Sequence, residues 1–249
     1  MASTSLISIT PLLPALLLVL VAMGAVVAWL GRLGHGRAIV TACLRAVVQL
    51  GVVSVVIAWV VSFPAAVAGF ILLMYGVAAF TAGRRIVPGR AGWWAGVPIA
   101  AGTVPVLAVM AASGVISMKG IVVIPIAGIL LGGCLTATTL AGRRALDELT
   151  QRKGEVEAAL SLGFTPREAA LEICRPVSGQ ALVPALDQTR TVGLVTLPGA
   201  FVGMLLGGAS PVQAGVVQLV VLVALLAAEA VATVVTIELA ARGFFHRGV

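Results

Sequence analysis

Long stretches of this chain carry almost no charge. Apolar runs recur at about 9–31, 38–61, 64–82, 95–116, 121–141, 191–209 and 212–241, each free or nearly free of Asp, Glu, Lys and Arg. A helix needs roughly 20 apolar residues to cross a bilayer's hydrocarbon layer, and at that depth the backbone N–H and C=O groups must pair among themselves. Helices meet that demand. The alternating pattern of a membrane β-barrel is absent, and continuous Val, Leu and Ala take its place. The predicted fold class is all-α: a polytopic membrane protein of about seven transmembrane helices. Composition agrees, with 60% hydrophobic and 10% charged residues against roughly a quarter charged in soluble domains. The first basic residue is Arg32, so the opening run lacks the basic n-region of a cleaved signal peptide and reads as a retained first helix.

Alternate gaps between the runs are basic. Arg32 and Arg37, then Arg84, Arg85 and Arg90, then Arg143, Arg144, Arg152, Lys153, Arg167 and Arg175, and finally Arg242 and Arg247 make up thirteen of the 16 basic residues. The intervening gaps hold only Lys119. Basic loops stay in the cytoplasm, so the N-terminus is expected outside and the C-terminus inside, in the cytoplasmic (inner or plasma) membrane. The net charge of +7 is therefore a matter of orientation, and no nucleic-acid face is expected. Cys43, Cys134 and Cys174 are isolated and form no C-x-x-C pair, which argues for neither disulfides nor a metal site. The whole chain, 1–249, reads as one transmembrane domain with a cytoplasmic region at 142–176.

That region holds Asp147, Glu148, Glu155, Glu157, Glu168 and Glu172 beside its six basic residues. Within it Glu157-Ala158-Ala159 is followed by Leu160-Ser161-Leu162-Gly163, with Ile173 ten residues after the glycine and Pro176 three further on. An Ala-rich helix from about Glu155 is expected to stop at Gly163, because glycine accepts the positive φ of a helix C-cap. Thr165, Pro166 and Glu168 supply an N-cap, a first-turn proline and a first-turn carboxylate, so a second helix starts at once. The bland alternative is a solvated amphipathic linker.

This spacing resembles the coupling-loop signature of ABC transporter permeases, Glu-Ala-Ala, three residues, Gly, nine residues, Ile, one residue, Leu-Pro; Arg175 stands here in place of the Leu. The segments Val123 to Gly128, Leu160 to Pro166, Thr191 to Gly199 and Arg45 to Leu50 are similar to the FetB family of such permeases. The resemblance implies a permease subunit driven by a separate ATPase and associated in bacteria with iron export, with plant relatives linked to aluminium tolerance. It implies a homodimer binding two ATPase subunits through Glu157, Ala158, Ala159, Leu162, Gly163, Thr165, Pro166 and Arg167, with ATP and Mg held by the partner and no cofactor in this chain. The family commonly has Gly-Asn where this chain has Gly132-Gly133, so any ligand role of that Asn is lost.

No G-x-x-x-x-G-K-[ST] occurs, and hydrolysis of ATP requires that phosphate-binding loop. A transport subunit without its own ATPase site is expected, and no catalytic constellation is apparent. Polar residues inside the spans are candidates for a translocation path. Arg45 lies about seven residues into the second run, and Thr41 and Gln49 share its face at i, i+4 spacing; a snorkelling arginine is the alternative. Glu229 falls near the middle of the last run, with Gln218 eleven residues earlier and Thr233 on nearly the same face. Its carboxylate is expected either to meet a cation in transit or to pair structurally, Arg45 being one partner considered. Glu238 and Arg242 read as a helix-end pair. Gly199, Gly203 and Gly207, like Gly128 and Gly132, mark close packing seams, one of them a candidate dimer interface. Two rival classes stay open: an ion-gradient-driven secondary transporter using Glu229, and a membrane scaffold.

Overall fold

A computed structural model describes residues 12–245 apart from 116 and 118. Tail residues His246 and Arg247, and the first residues of the opening run, lie outside it. The chain divides into two compact units, Met1–Val60 and Val61–Val249. In the first, α1 (Leu12–Leu30) and the body of α2 (Gly36–Ser62) form a helical hairpin. Its turn carries Arg32 at φ 52° and Gly34 at φ 70°. A Cβ on Gly36 would lie 3.2 Å from the Ala25 carbonyl, so that glycine lets the two helices close at their base.

The second unit contains α3 (Pro64–Ile86), a 3₁₀ segment (Arg90–Ala95), α4 (Gly96–Ala112), α5 (Gly120–Gln151), α6 (Lys153–Ser161) and α7 (Pro166–Ser178). After a short 3₁₀ turn follow α8 (Val183–Thr191), α9 (Gly199–Leu206) and α10 (Pro211–Ala241). Six helices among the described residues are long and apolar enough to cross a membrane. The core lies where α3, α4, α5 and α10 meet, around Ala82, Ile99, Leu130, Cys134, Leu225 and Ala228. Alanines such as Ala82 and Ala228 are interleaved with larger residues there, because membrane helices gain little from apolar burial and depend on close backbone approach.

Two expectations change. The run at 191–209 is not one helix: after α8 the backbone leaves helical geometry at 192–198, with Gly193 at φ 81°, and α9 is only 8 residues long. This broken path accounts for the distance the chain must cover. Arg167, at the start of α7, pairs with Glu238 near the end of α10, while Ala209 precedes the start of α10; a 31-residue helix is about 46 Å long at about 1.5 Å per residue. Residues 178–210 climb that length in pieces, and α7, α8 and α9 all pack on α10. Secondly, α5 continues ten residues past the expected end of its apolar run. Arg143, Arg144, Asp147 and Glu148 therefore sit on a helical extension of the span, with Ala145 and Leu146 buried.

The expected glycine seam along α9 is not formed within the chain, for a Cβ on Gly199 or Gly203 would meet nothing within 4 Å. The close approach occurs elsewhere. A Cβ on Gly102 of α4 would overlap the Ala228 carbonyl of α10 and lie 2.9 Å from Cys134 Sγ of α5. Gly102→Ala is therefore expected to destabilise the protein by about 1–3 kcal/mol through overpacking. Gly132→Ala, where the added methyl meets nothing, should leave stability unchanged or raise it by about 0.5–1 kcal/mol. Thermal unfolding of the two variants in one detergent measures the contrast.

Candidate functional site

The polar segment at 155–168 folds as its residues require. Helix α6 ends in a double hydrogen-bonded glycine stop: Phe164 N–H donates to Ala159 O at 3.1 Å and Gly163 N–H to Leu160 O at 3.0 Å. Gly163 stands at φ 94°, a backbone region that costs an L-residue roughly 1–2 kcal/mol. Two residues later Thr165 caps α7. Its Oγ1 accepts from Glu168 N–H at 3.3 Å, and its own N–H donates to Glu168 Oε2 at 2.9 Å. The Thr165 hydroxyl, donating to Glu168 Oε2 at 2.7 Å, and then the Thr165 N–H hold the Glu168 carboxyl below the usual carboxylate range, as the Arg152 guanidinium does for Glu155.

A compact knuckle results. Glu157, Ala158, Leu162, Gly163, Thr165, Pro166 and Arg167 are all exposed, and Ala159 is half-buried. Its tip is apolar: Leu162 is 80% exposed, and Leu160 and Phe164 are exposed beside it. Below the tip α7 turns its other face inward, burying Ala169, Ala170, Leu171, Ile173 and Cys174. Burial pushes the Cys174 thiol up to about 11, so it is kept protonated and poorly nucleophilic at neutral pH.

The knuckle is tied to the long helix α10. Arg167 Nε and Nη2 donate to the two oxygens of Glu238 at 2.6 and 2.8 Å, and Arg242 Nε donates to the same carboxylate at 2.6 Å. Glu238 is thus not merely the partner of Arg242 one turn away. Its carboxylate holds the Arg167 guanidinium above the ordinary arginine value. Arg167 and Glu238 are 71 residues apart, and nothing local announces the pair.

A second polar feature lies within the helices. Glu229 is 6% exposed, and no hydrogen bond or ion pair reaches it among the described residues. A Cβ on Gly133 of α5 would lie 2.5 Å from Glu229 Oε1, so the carboxylate fills the space that this glycine leaves. Among the described residues Thr138 and Thr233 have buried hydroxyls without hydrogen-bond partners, as does the side-chain carbonyl of Gln218, and the buried Thr103 hydroxyl meets the Cys134 thiol. Gln218 lines a cavity of about 280 Å³ with the irregular stretch Val192, Gly193, Leu197 and Pro198. Arg45 and Gln49 occupy exposed positions on α2 in the first unit, where Thr41 returns its hydroxyl to the Arg37 and Ala38 carbonyls at 3.0 and 3.1 Å. Sequence reasoning missed Thr103, Cys134 and Thr138. The i, i+4 pairing of Cys134 with Thr138 inside an apolar run was the available signal.

With this geometry in place, comparison with known proteins is informative. The model of the uncharacterised protein family UPF0014 matches residues 11–245. The chain is 36% identical over 231 residues to the UPF0014 membrane protein STAR2 of Oryza sativa subsp. japonica, covering 90% of this chain and 80% of that protein. It is 34% identical to Protein ALUMINUM SENSITIVE 3 of Arabidopsis thaliana, covering 94% of this chain and 87% of that one. Against the Probable iron export permease protein FetB of Escherichia coli (strain K12) it is 30% identical, with 93% and 91% covered. No solved structure matches.

The cap geometry gives a direct test. Thr165→Ala removes the acceptor for the α7 N-terminus and is expected to cost about 0.5–2 kcal/mol locally, whereas Thr165→Ser retains it. Amide hydrogen exchange in the first turn of α7 should rise in the alanine variant and stay near the parent value in the serine variant.

Proposed function

The chain belongs to the uncharacterised protein family UPF0014, a family of multi-pass membrane permeases, and from that premise we propose that it is the membrane subunit of an ATP-driven ABC transporter exporting iron or a related metal ion. Two copies form the membrane half of the transporter in the cytoplasmic membrane, with the Arg-rich ends of the helices inside. Two separate ATPase subunits, which hold ATP and Mg, dock on the 155–168 knuckle. Export and iron rest on the similarity to the Probable iron export permease protein FetB of Escherichia coli.

The observation that carries the reading is the knuckle: a polar helix–glycine–helix turn that exposes Leu160, Leu162 and Phe164 at its tip. Exposed apolar residues rimmed by charge are the usual mark of a protein partner. The Arg167 fork to Glu238 supplies a route from that partner to α10. Surface ion pairs contribute only about 0–1 kcal/mol, too little to hold the fold, so the value of this one is positional: it couples displacement of α7 to α10. Tighter binding of ATP to one conformation then shifts the population between inward and outward access. The unpartnered carboxylate of Glu229 also favours a second reading, transport by this chain alone on an ion gradient. Purification separates the two, since an ATPase that co-elutes and is stimulated by the chain supports the first, and gradient-driven flux without it the second.

Two variants test the coupling. Gly163→Leu should insert and assemble yet lose ATP-dependent transport while the partner's hydrolysis no longer responds to the chain; undiminished transport would refute the docking role. Arg167→Glu alone should likewise lower transport, by about five-fold or more if about 1 kcal/mol of coupling is removed. The exchange Arg167→Glu with Glu238→Arg should restore much of it, as measured in reconstituted vesicles.

A further inference from the structure

The junction of α4, α5 and α10 concentrates donor atoms that the fold does not use. At one level lie Gly102 and Thr103 of α4, Gly133 and Cys134 of α5, and Ala228 and Glu229 of α10, brought together by the two glycine contacts described above. The Cys134 thiol is 0% exposed, with the Thr103 side chain beside it and Glu229 close enough for their charges to interact. Helices α5 and α10 run side by side in the same direction, since the far ends of both meet α7. One turn further along each, Thr138 and Thr233 place buried hydroxyls without partners.

A lone carboxylate in this setting is expensive. Even after relaxation, removing an ion from water costs several kcal/mol unless it is paired, and the surrounding groups are apolar or are acceptors and weak donors. Every strong donor atom in the junction is an oxygen or a sulfur. That set is complementary to a cation. A thiol beside a carboxylate selects by softness: first-row divalent transition metals accept both, whereas magnesium, calcium and other hard cations prefer oxygen alone.

We propose that Glu229 and Cys134, completed by the Thr103 and Thr233 hydroxyls, form a transit site for a divalent transition-metal ion inside each copy of the chain. The proposal rests on the permease reading and names the site at which its cargo is held. Among the described residues no group of three or more His, Cys, Asp and Glu occurs, and two strong ligands fall short of the three or four that retain a resident ion. Cargo needs that shortfall, because conduction requires binding weak enough for release. On binding, the metal–sulfur bond replaces the thiol's S–H bond, and the proton leaves to the solvent.

Cobalt(II) serves as the probe, because its bond to a thiolate gives a charge-transfer absorption. The full chain is purified in detergent as the Cys43→Ser, Cys174→Ser double variant, leaving Cys134 as its one thiol. This variant should develop the thiolate band on cobalt addition, and further Cys134→Ser should abolish it. Adding Glu229→Gln to the double variant should weaken cobalt binding at least about tenfold, and iron(II) or zinc(II), but not magnesium, should compete. Both substitutions are near-isosteric, and unchanged thermal unfolding verifies the fold. No band in the double variant, or undiminished affinity when Glu229→Gln puts a neutral amide in place of the carboxylate, would overturn the site. Either result leaves the docking of the ATPase standing, since the Gly163 variant tests that separately.

Discussion

Hydrocarbon offers a protein no hydrogen-bond partner, and in the second unit several departures from that constraint are packed against α10. The irregular stretch between α8 and α9 faces it, Glu229 and Thr233 project from it, and Glu238 anchors α7 to its end. Elsewhere the long helices satisfy their backbones internally and bury small apolar residues. Non-helical backbone and ionisable groups at membrane depth are tolerated only against protein or water. Their convergence on one helix makes α10 the structural axis on which a transport cycle can turn.

Glycine sets the geometry of that axis in two different ways. At Gly163 it supplies a backbone conformation, letting α6 stop and α7 begin within four residues. At Gly102 and Gly133 it supplies absence of bulk, allowing α4 and α5 to approach α10 so closely that a methyl group would collide with a carbonyl or with the Glu229 carboxylate. The second use is clearest at Gly133, where the space left by the missing side chain is taken by Glu229. A side chain at that position and a buried carboxylate opposite it compete for the same volume.

What could be read in the residues was local. The spans followed from uninterrupted apolar length, and the glycine stop at Gly163 and the Thr165 cap followed from contacts three to five residues apart. What could not be read was of two kinds. An apolar run records that a segment belongs in the membrane but not that it is helical, so 191–209 resembled a span although Thr191, Val192, Gly193 and Thr196 favour the break that occurs. Charge was equally uninformative at 143–148, where polar residues end the apolar run while Ala145 and Leu146 keep the helical period that packs on α7. Contacts remote in the chain, above all Arg167 with Glu238, left no trace in spacing.

The distances join the two halves of the functional reading. Glu238 and Glu229 are nine residues apart on one continuous helix, about 13 Å at about 1.5 Å per residue. A helix transmits axial displacement and rotation over that distance with little loss, because each turn is braced by its own hydrogen bonds. Rotation of α10 by one residue's step, about 100°, would carry Glu229 out of the cleft over Gly133 altogether, and a small fraction of that suffices to separate its carboxylate from the Cys134 thiol. A pull on Arg167 at the knuckle therefore need not be large to alter the donor set around Glu229. Packed cores shift between discrete arrangements instead of deforming smoothly, so in the proposed cycle a modest displacement at the surface would switch the junction between holding a cation and releasing it.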